Sequence, residues 1–203
     1  MLEKSLATLF ALLILATLIN RFLVWRLPER KGDEVTLRIR TWWGIVICFS
    51  LVISGPRWVT LTFFALISFL ALKEYCTLIS VHFPRWLYWV IPLNYLLIGL
   101  NCFELFLLFI PLFGFLILAT WRVFVGEPSG FLHTVSAIFC GWIMTVFALS
   151  HTAWLLMLPT TNIQGEALLV LFLLALTESN DIAQYLWGKS CGRRKVVPKV
   201  SPG

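Results

Sequence analysis

Near the end of an otherwise hydrocarbon-like segment, Glu178, Asn180 and Asp181 fall within four residues, and Lys189, Arg193, Arg194, Lys195 and Lys199 follow them. Carboxylates hold divalent cations or orient basic groups, an amide hydrogen-bonds a substrate without adding charge, and clustered cations neutralise phosphates. Glu178 and Asp181 are three residues apart, so on a helix they share a face, and Tyr185 lies one further turn beyond Asp181. A charged side chain at the bilayer centre costs about 3 kcal/mol on insertion scales, so such a stripe faces a protein interior or a water-filled cavity. The residues also suit a plainer reading, in which the last helix ends here, wets its final turns and is anchored by a basic tail. Stripe and tail together predict a polar pocket at one membrane face, bordered by a positive loop and suited to an anionic ligand.

The other polar groups point less clearly to chemistry. Glu104 and Glu166 lie at the ends of apolar runs, where snorkelling makes a carboxylate cheap, and Glu74 follows the run "FFALISFLAL" as an interfacial residue. His82, His133 and His151 show no metal-ligand spacing, and neither a P-loop nor a GxSxG elbow is present. Gly188 and Gly192, separated by three residues, form a weak phosphate-cradle pattern, because glycine is equally the ordinary way to end a helix. The five cysteines form no CxxC pair and read as small buried hydrophobes.

These residues must be positioned by membrane helices. Of 203 residues, 60% are hydrophobic and 13% charged, with a mean hydropathy of +0.89, whereas soluble domains carry about 25% charged residues. The expected fold is an all-α, polytopic transmembrane bundle forming a single membrane domain over residues 1–203. Apolar runs near 5–25, 41–55, 58–79, 86–100, 104–121, 131–157 and 166–187 give seven spans, the second and fourth being short, with Pro92 inside the fourth. Seven spans place Arg21, Arg26, Arg30, Lys31, Arg38, Arg40, Lys73, Arg85, Arg122 and the five basic residues of the tail on one side, leaving Lys4 and Arg57 on the other. By the positive-inside rule the majority side is cytoplasmic and the N-terminus is outside. The net charge of +6 is thus topological, and nucleic acid is not an expected partner.

The segment "DIAQYLWGKSCGRRKVVPKVSPG" resembles the phosphatidate cytidylyltransferase (CDP-diacylglycerol, or CDP-diglyceride, synthase) family, and within it a bacterial paralogue branch. Members look like Asp, Tyr four later, Gly three after that, a Gly/basic stretch, then Pro and a Ser-Pro pair leading into Lys-Thr and Glu-Gly. Asp181, Tyr185, Gly188, Gly192, Lys195, Pro198, Ser201 and Pro202 occupy those places, and "LALKEYCTLIS" is similar to a weaker feature that includes Glu74. Gln184 and Cys191 depart from the pattern. Residues 173–203 carry the specific match, and the preceding spans match mainly in hydropathy. The chain stops at Gly203, before the family's Lys-Thr, Glu-Gly and later Asp-containing signature, so it reads as C-terminally truncated.

The resemblance implies transfer of a cytidylyl group from CTP to phosphatidic acid, with Mg2+ as cofactor and a homodimer as the assembly, in a bacterial inner membrane. It implies catalytic roles for Asp181, Lys195 and Ser201, with Asp181 as the metal ligand. It implies substrate contacts for Asn180, Tyr185, Gly188, Lys189, Gly192, Arg193, Arg194, Lys199 and Pro202. Because the main metal-binding aspartates of the family fall in the later signature, the 203 residues alone are expected to show no measurable transfer. A CTP-dependent polyprenol or lipid kinase is the alternative within enzymes, and a non-catalytic scaffold or a transporter is the alternative outside them.

Overall fold

A computed structural model describes residues 2–26, 34–79, 83–125, 130–158 and 165–191. They form seven helical runs in the order of the seven predicted spans: α1 (Leu2–Arg26), α2 (Glu34–Ile53), α3 (Arg57–Leu78), α4 (Val90–Gly99, entered through a 3-10 turn at Arg85–Trp89), α5 (Phe103–Val125), α6 (Phe131–Met157) and α7 (Gly165–Cys191). The chain is an all-α polytopic bundle, and five of these helices, α1, α2, α3, α5 and α6, are long and apolar enough to cross a membrane. Leu12, Leu15, Leu18 and Phe22 on α1 are each more than half exposed, as are Leu66 and Leu70 on α3. At about 25 cal/mol per Å2, water could not tolerate this apolar girdle, which lipid tails solvate without cost.

The core lies among α3, α4, α5 and α6, where Leu72, Ile98, Phe106, Ile110, Ile138 and Val146 are fully buried. Helix α1 has only Leu2 and Leu13 buried and packs more loosely with α2 and α7. Interhelical polar contacts fix the inner packing: Ser68 Oγ and Tyr95 OH lie 2.9 Å apart, both buried. Tyr75 OH donates to the Ala137 carbonyl oxygen at 2.9 Å, and its ring lies directly against Gly141. Such bonds add order where hydrophobicity gives no preference between lipid and protein.

Both short spans depart from their hydropathy limits for identifiable reasons. Helix α2 begins at Glu34, not near 41, because Val35, Ile39 and Trp42 continue the apolar side through a turn that carries Arg38 and Arg40. Helix α4 stays short because Asn101 adopts a left-handed φ of 59°. The Cys102 N–H then reaches the Leu97 carbonyl at 3.0 Å and the Asn101 N–H reaches that of Ile98 at 2.9 Å, a Schellman closure. Pro92 sits in the first turn of α4, where its missing N–H costs little. Since Asn101 is exposed, Asn101→Val should destabilise the bundle by about 1–2 kcal/mol through backbone strain alone, with Asn101→Gly near neutral. Equilibrium unfolding in mixed micelles checks this, and equal stabilities for the two variants would contradict it.

Two helices contain π turns, Phe109–Gly114 in α5 and Ile143–Phe147 in α6, and these segments pack against each other. Pro111 explains the first, because proline cannot complete the usual α-helical bond and its ring crowds the carbonyl four residues back.

The bundle has two distinct ends. Leu2, Ser54, Arg57, Leu156 and Glu166 share one, where Arg57 Nη2 lies 3.4 Å from Glu166 Oε1. Asn20, Thr36, Arg38, Asp181 and Tyr185 share the other. Arg57 therefore falls at the opposite end from Arg38, as the seven-span charge pattern requires.

Candidate functional site

At the second end, three residues from two distant parts of the chain meet. Arg38 Nη1 lies 3.0 Å from Asp181 Oδ2, and the Arg38 guanidinium sits 4.5 Å from the centre of the Tyr185 ring. Asp181 and Tyr185 are four apart on α7, so both reach the one side chain arriving from α2. Helix α2 is held beside α1 by Trp43 Nε1 donating to Thr17 Oγ1 at 3.0 Å and Asn20 Nδ2 donating to Thr36 Oγ1 at 3.1 Å. The Arg38 and Asp181 side chains remain 39% and 58% exposed, so the ion pair contributes only about 0–1 kcal/mol. It orients the carboxylate without locking it.

Alongside runs a groove between α1, α2 and α7, described by two cavities of about 330 and 230 Å3 that share Leu13, Ala16, Trp42 and Ile182. The first reaches Glu178 and Ser179, and the second ends at Arg38 and Tyr185. The expected polar pocket is thus an apolar groove with a charged end. Leucine, isoleucine and alanine from α1 and α2 face the α7 stripe, and sequence spacing within α7 alone did not include them. Glu178 and Asp181 do share a side of α7, but only Glu178 lines the groove; Asn180 and Asp181 are exposed and line neither cavity.

Helix α7 continues past the predicted limit at 187 to Cys191, so Gly188 lies on the helix, exposed and with open space where a Cβ would be. The backbone at Lys189 is helical. Gly192, Arg193, Arg194, Lys195, Lys199, Ser201 and Pro202 lie outside the described residues. Glu74 is exposed at the end of α3, and Glu104 sits in the first turn of α5. His151 Nδ1 is 2.7 Å from the Phe147 carbonyl oxygen and its ring packs against Phe106, a structural role.

A divalent cation needs several oxygen ligands converging on one point. Among the described residues no group of three or more acidic, histidine or cysteine side chains offers this. Glu178 and Asp181 supply two carboxylates, and Asp181 is already turned to Arg38. The described residues do not by themselves fit a complete Mg2+ site, so no step below passes through a metal.

Sequence reasoning placed Arg38 among topological charges only. The available signal was its position on the apolar side of α2, three residues after Val35 and four before Trp42.

Compared with known families, residues 36–203 match the model described as "Cytidylyltransferase family". The chain belongs to the cytidylyltransferase family. That membership supports CTP-dependent cytidylyl transfer and CTP as the nucleotide. The match includes Arg38, Asp181 and Tyr185, and begins after α1. An Escherichia coli (strain K12) protein, described as "Uncharacterized protein YnbB", is 93% identical over 203 residues, covering 100% of this chain and 68% of YnbB. No solved structure matches the chain.

Proposed function

We propose that this cytidylyltransferase acts on phosphatidic acid, joining its phosphate to the cytidylyl group of CTP and releasing pyrophosphate, for phospholipid biosynthesis. The observation that carries the reading is the Arg38, Asp181 and Tyr185 constellation at the mouth of an apolar groove, within the residues that match the family. A lipid phosphate needs a cation at the depth of the headgroups and an apolar path for its chains, and this end of the bundle offers both.

In the reaction a phosphate oxygen of the lipid forms a bond to the α phosphorus of CTP, and the bond from that phosphorus to the bridging oxygen of pyrophosphate breaks. Nucleophile and electrophile are both anionic, so fixed cations must offset their repulsion and the charge on the leaving group. Arg38 faces the lipid phosphate, with Asp181 beside it. Lys195, with Lys189, Arg193, Arg194 and Lys199, carries the nucleotide phosphates, and Gly192 and Gly188 allow close approach. Asn180 and Ser201 donate hydrogen bonds, while Pro202 stiffens the segment presenting Ser201. Mg2+ would add to the charge neutralisation, with Asp181 supplying one carboxylate of a site that the described residues do not complete. The proposed setting is a bacterial inner membrane, with the Arg38 end cytoplasmic, the N-terminus outside and the chain in a homodimer.

Double labelling tests the reading. Membranes holding the chain are incubated with phosphatidic acid and CTP labelled in cytidine or in the γ phosphate, with and without the part of YnbB that the chain does not match. Cytidine label is expected in lipid only when that part is present. Entry of γ label alone would identify a lipid kinase, and absence of both CTP binding and transfer would favour a scaffold or transporter.

A further inference from the structure

From the groove between α1, α2 and α7 we infer a seat for one acyl chain of phosphatidic acid, with Arg38 exchanging Asp181 for the lipid phosphate. The inference rests on the phosphatidate reading and adds a place and a residue to it. Helix α1, which forms one wall through Leu9, Leu13 and Ala16, precedes the residues that match the family.

The groove has the shape and chemistry of a lipid, not of a water-soluble ligand. Along α7 it extends from Leu174 to Tyr185, twelve residues, or about 16 Å at the helical rise. That is most of one membrane leaflet. Its walls are apolar apart from Glu178 and Ser179 and it ends at Arg38, so a chain lying in it would bring its headgroup to a guanidinium, which binds phosphate through paired hydrogen bonds. The Asp181 carboxylate is more than half exposed and its pair with Arg38 is worth no more than about 1 kcal/mol, so a phosphate dianion displaces it readily. The displaced Asp181 carboxylate then lies beside the bound phosphate. Tyr185, already against the guanidinium, keeps Arg38 in place during the exchange.

Photo-crosslinking tests the seat. The chain is placed in phosphatidylcholine nanodiscs doped with phosphatidic acid that carries a diazirine on one acyl chain, and adducts are mapped by mass spectrometry. Adducts are expected on the groove stretches of α1, α2 and α7, and excess unlabelled phosphatidic acid should remove them. Arg38→Ala should lower labelling by about tenfold, the effect of one charge-assisted contact, with Arg38→Lys recovering part of it. Ala16→Trp, at an exposed position that lines both cavities, should fill the groove and lower it too. Circular dichroism should show unchanged helicity in each variant.

Equal labelling by diazirine phosphatidylcholine would mean boundary lipid only and overturn the seat. Protection by CTP would assign Arg38 to the nucleotide, and crosslinks between copies through these helices would assign the groove to a dimer, each also overturning it. Groove adducts without cytidine transfer when the part of YnbB that the chain does not match is also present would leave the seat standing and remove the proposed reaction. Transfer with adducts elsewhere would do the reverse.

Discussion

Asp181→Asn is expected to lower cytidylyl transfer by about a hundredfold to a thousandfold, the usual cost of losing one charged group aimed at the reacting centre. The same substitution should leave phosphatidate photolabelling undiminished, or raise it up to about fivefold. The reason for the second effect is competition. Asp181 lies 3.0 Å from Arg38, and removing an exposed pair worth up to about 1 kcal/mol takes away one competitor of the phosphate for the guanidinium. A carboxylate that merely stabilised the fold would lower both readouts together. Transfer within threefold of the unsubstituted chain, in the preparation that incorporates cytidine label, would remove Asp181 from the chemistry.

Gly141→Ala should cost about 1–3 kcal/mol of stability. A Cβ added there would lie 2.5 Å from Cε1 and 2.7 Å from Cδ1 of Tyr75, closer than carbon atoms approach. The ring cannot swing aside freely, because Tyr75 OH donates to the Ala137 carbonyl oxygen one turn earlier on the same helix. Either the helices separate, at the overpacking cost of about 1–3 kcal/mol, or the ring moves and forfeits a hydrogen bond worth about 1 kcal/mol. Pairing the substitution with Tyr75→Ala should restore much of the loss, giving a coupling energy of opposite sign to the two single effects. Unfolding titrations of the four proteins measure this. Additive losses would show that α3 and α6 do not meet through this pair.

Much of the architecture could be read from the sequence, because membrane helices announce themselves by the length of their apolar runs. The run at 131–157 coincides with α6, and those at 5–25 and 58–79 fall within a few residues of α1 and α3. What hydropathy could not read were the ends. Helix α2 continues through Arg38 and Arg40, because a charged residue at the interface ends an apolar run without ending a helix. Helix α4 stops at Asn101 through a backbone conformation, not through polarity.

The candidate site was legible as far as one helix goes. The shared side of Glu178, Asp181 and Tyr185 follows from spacing, but Arg38 is 143 residues from Asp181, and no local pattern joins them. The apolar character of the groove likewise depends on Leu9, Leu13 and Ala16, from a helix with no chemical motif of its own.

The facing π turns of α5 and α6 make each helix a pair of angular frames. A π turn accommodates one residue more than the α-helix, and one residue turns a helix by about 100°, so side chains beyond Gly114 point where uninterrupted periodicity would not put them. Trp121 meets Trp86 edge-on at 5.6 Å in this rotated frame. Deleting Pro111 would therefore remove the extra residue, let α5 run on as a continuous α-helix and leave Trp121 facing Trp86. In these two helices the pattern of faces has to be counted afresh after each π turn.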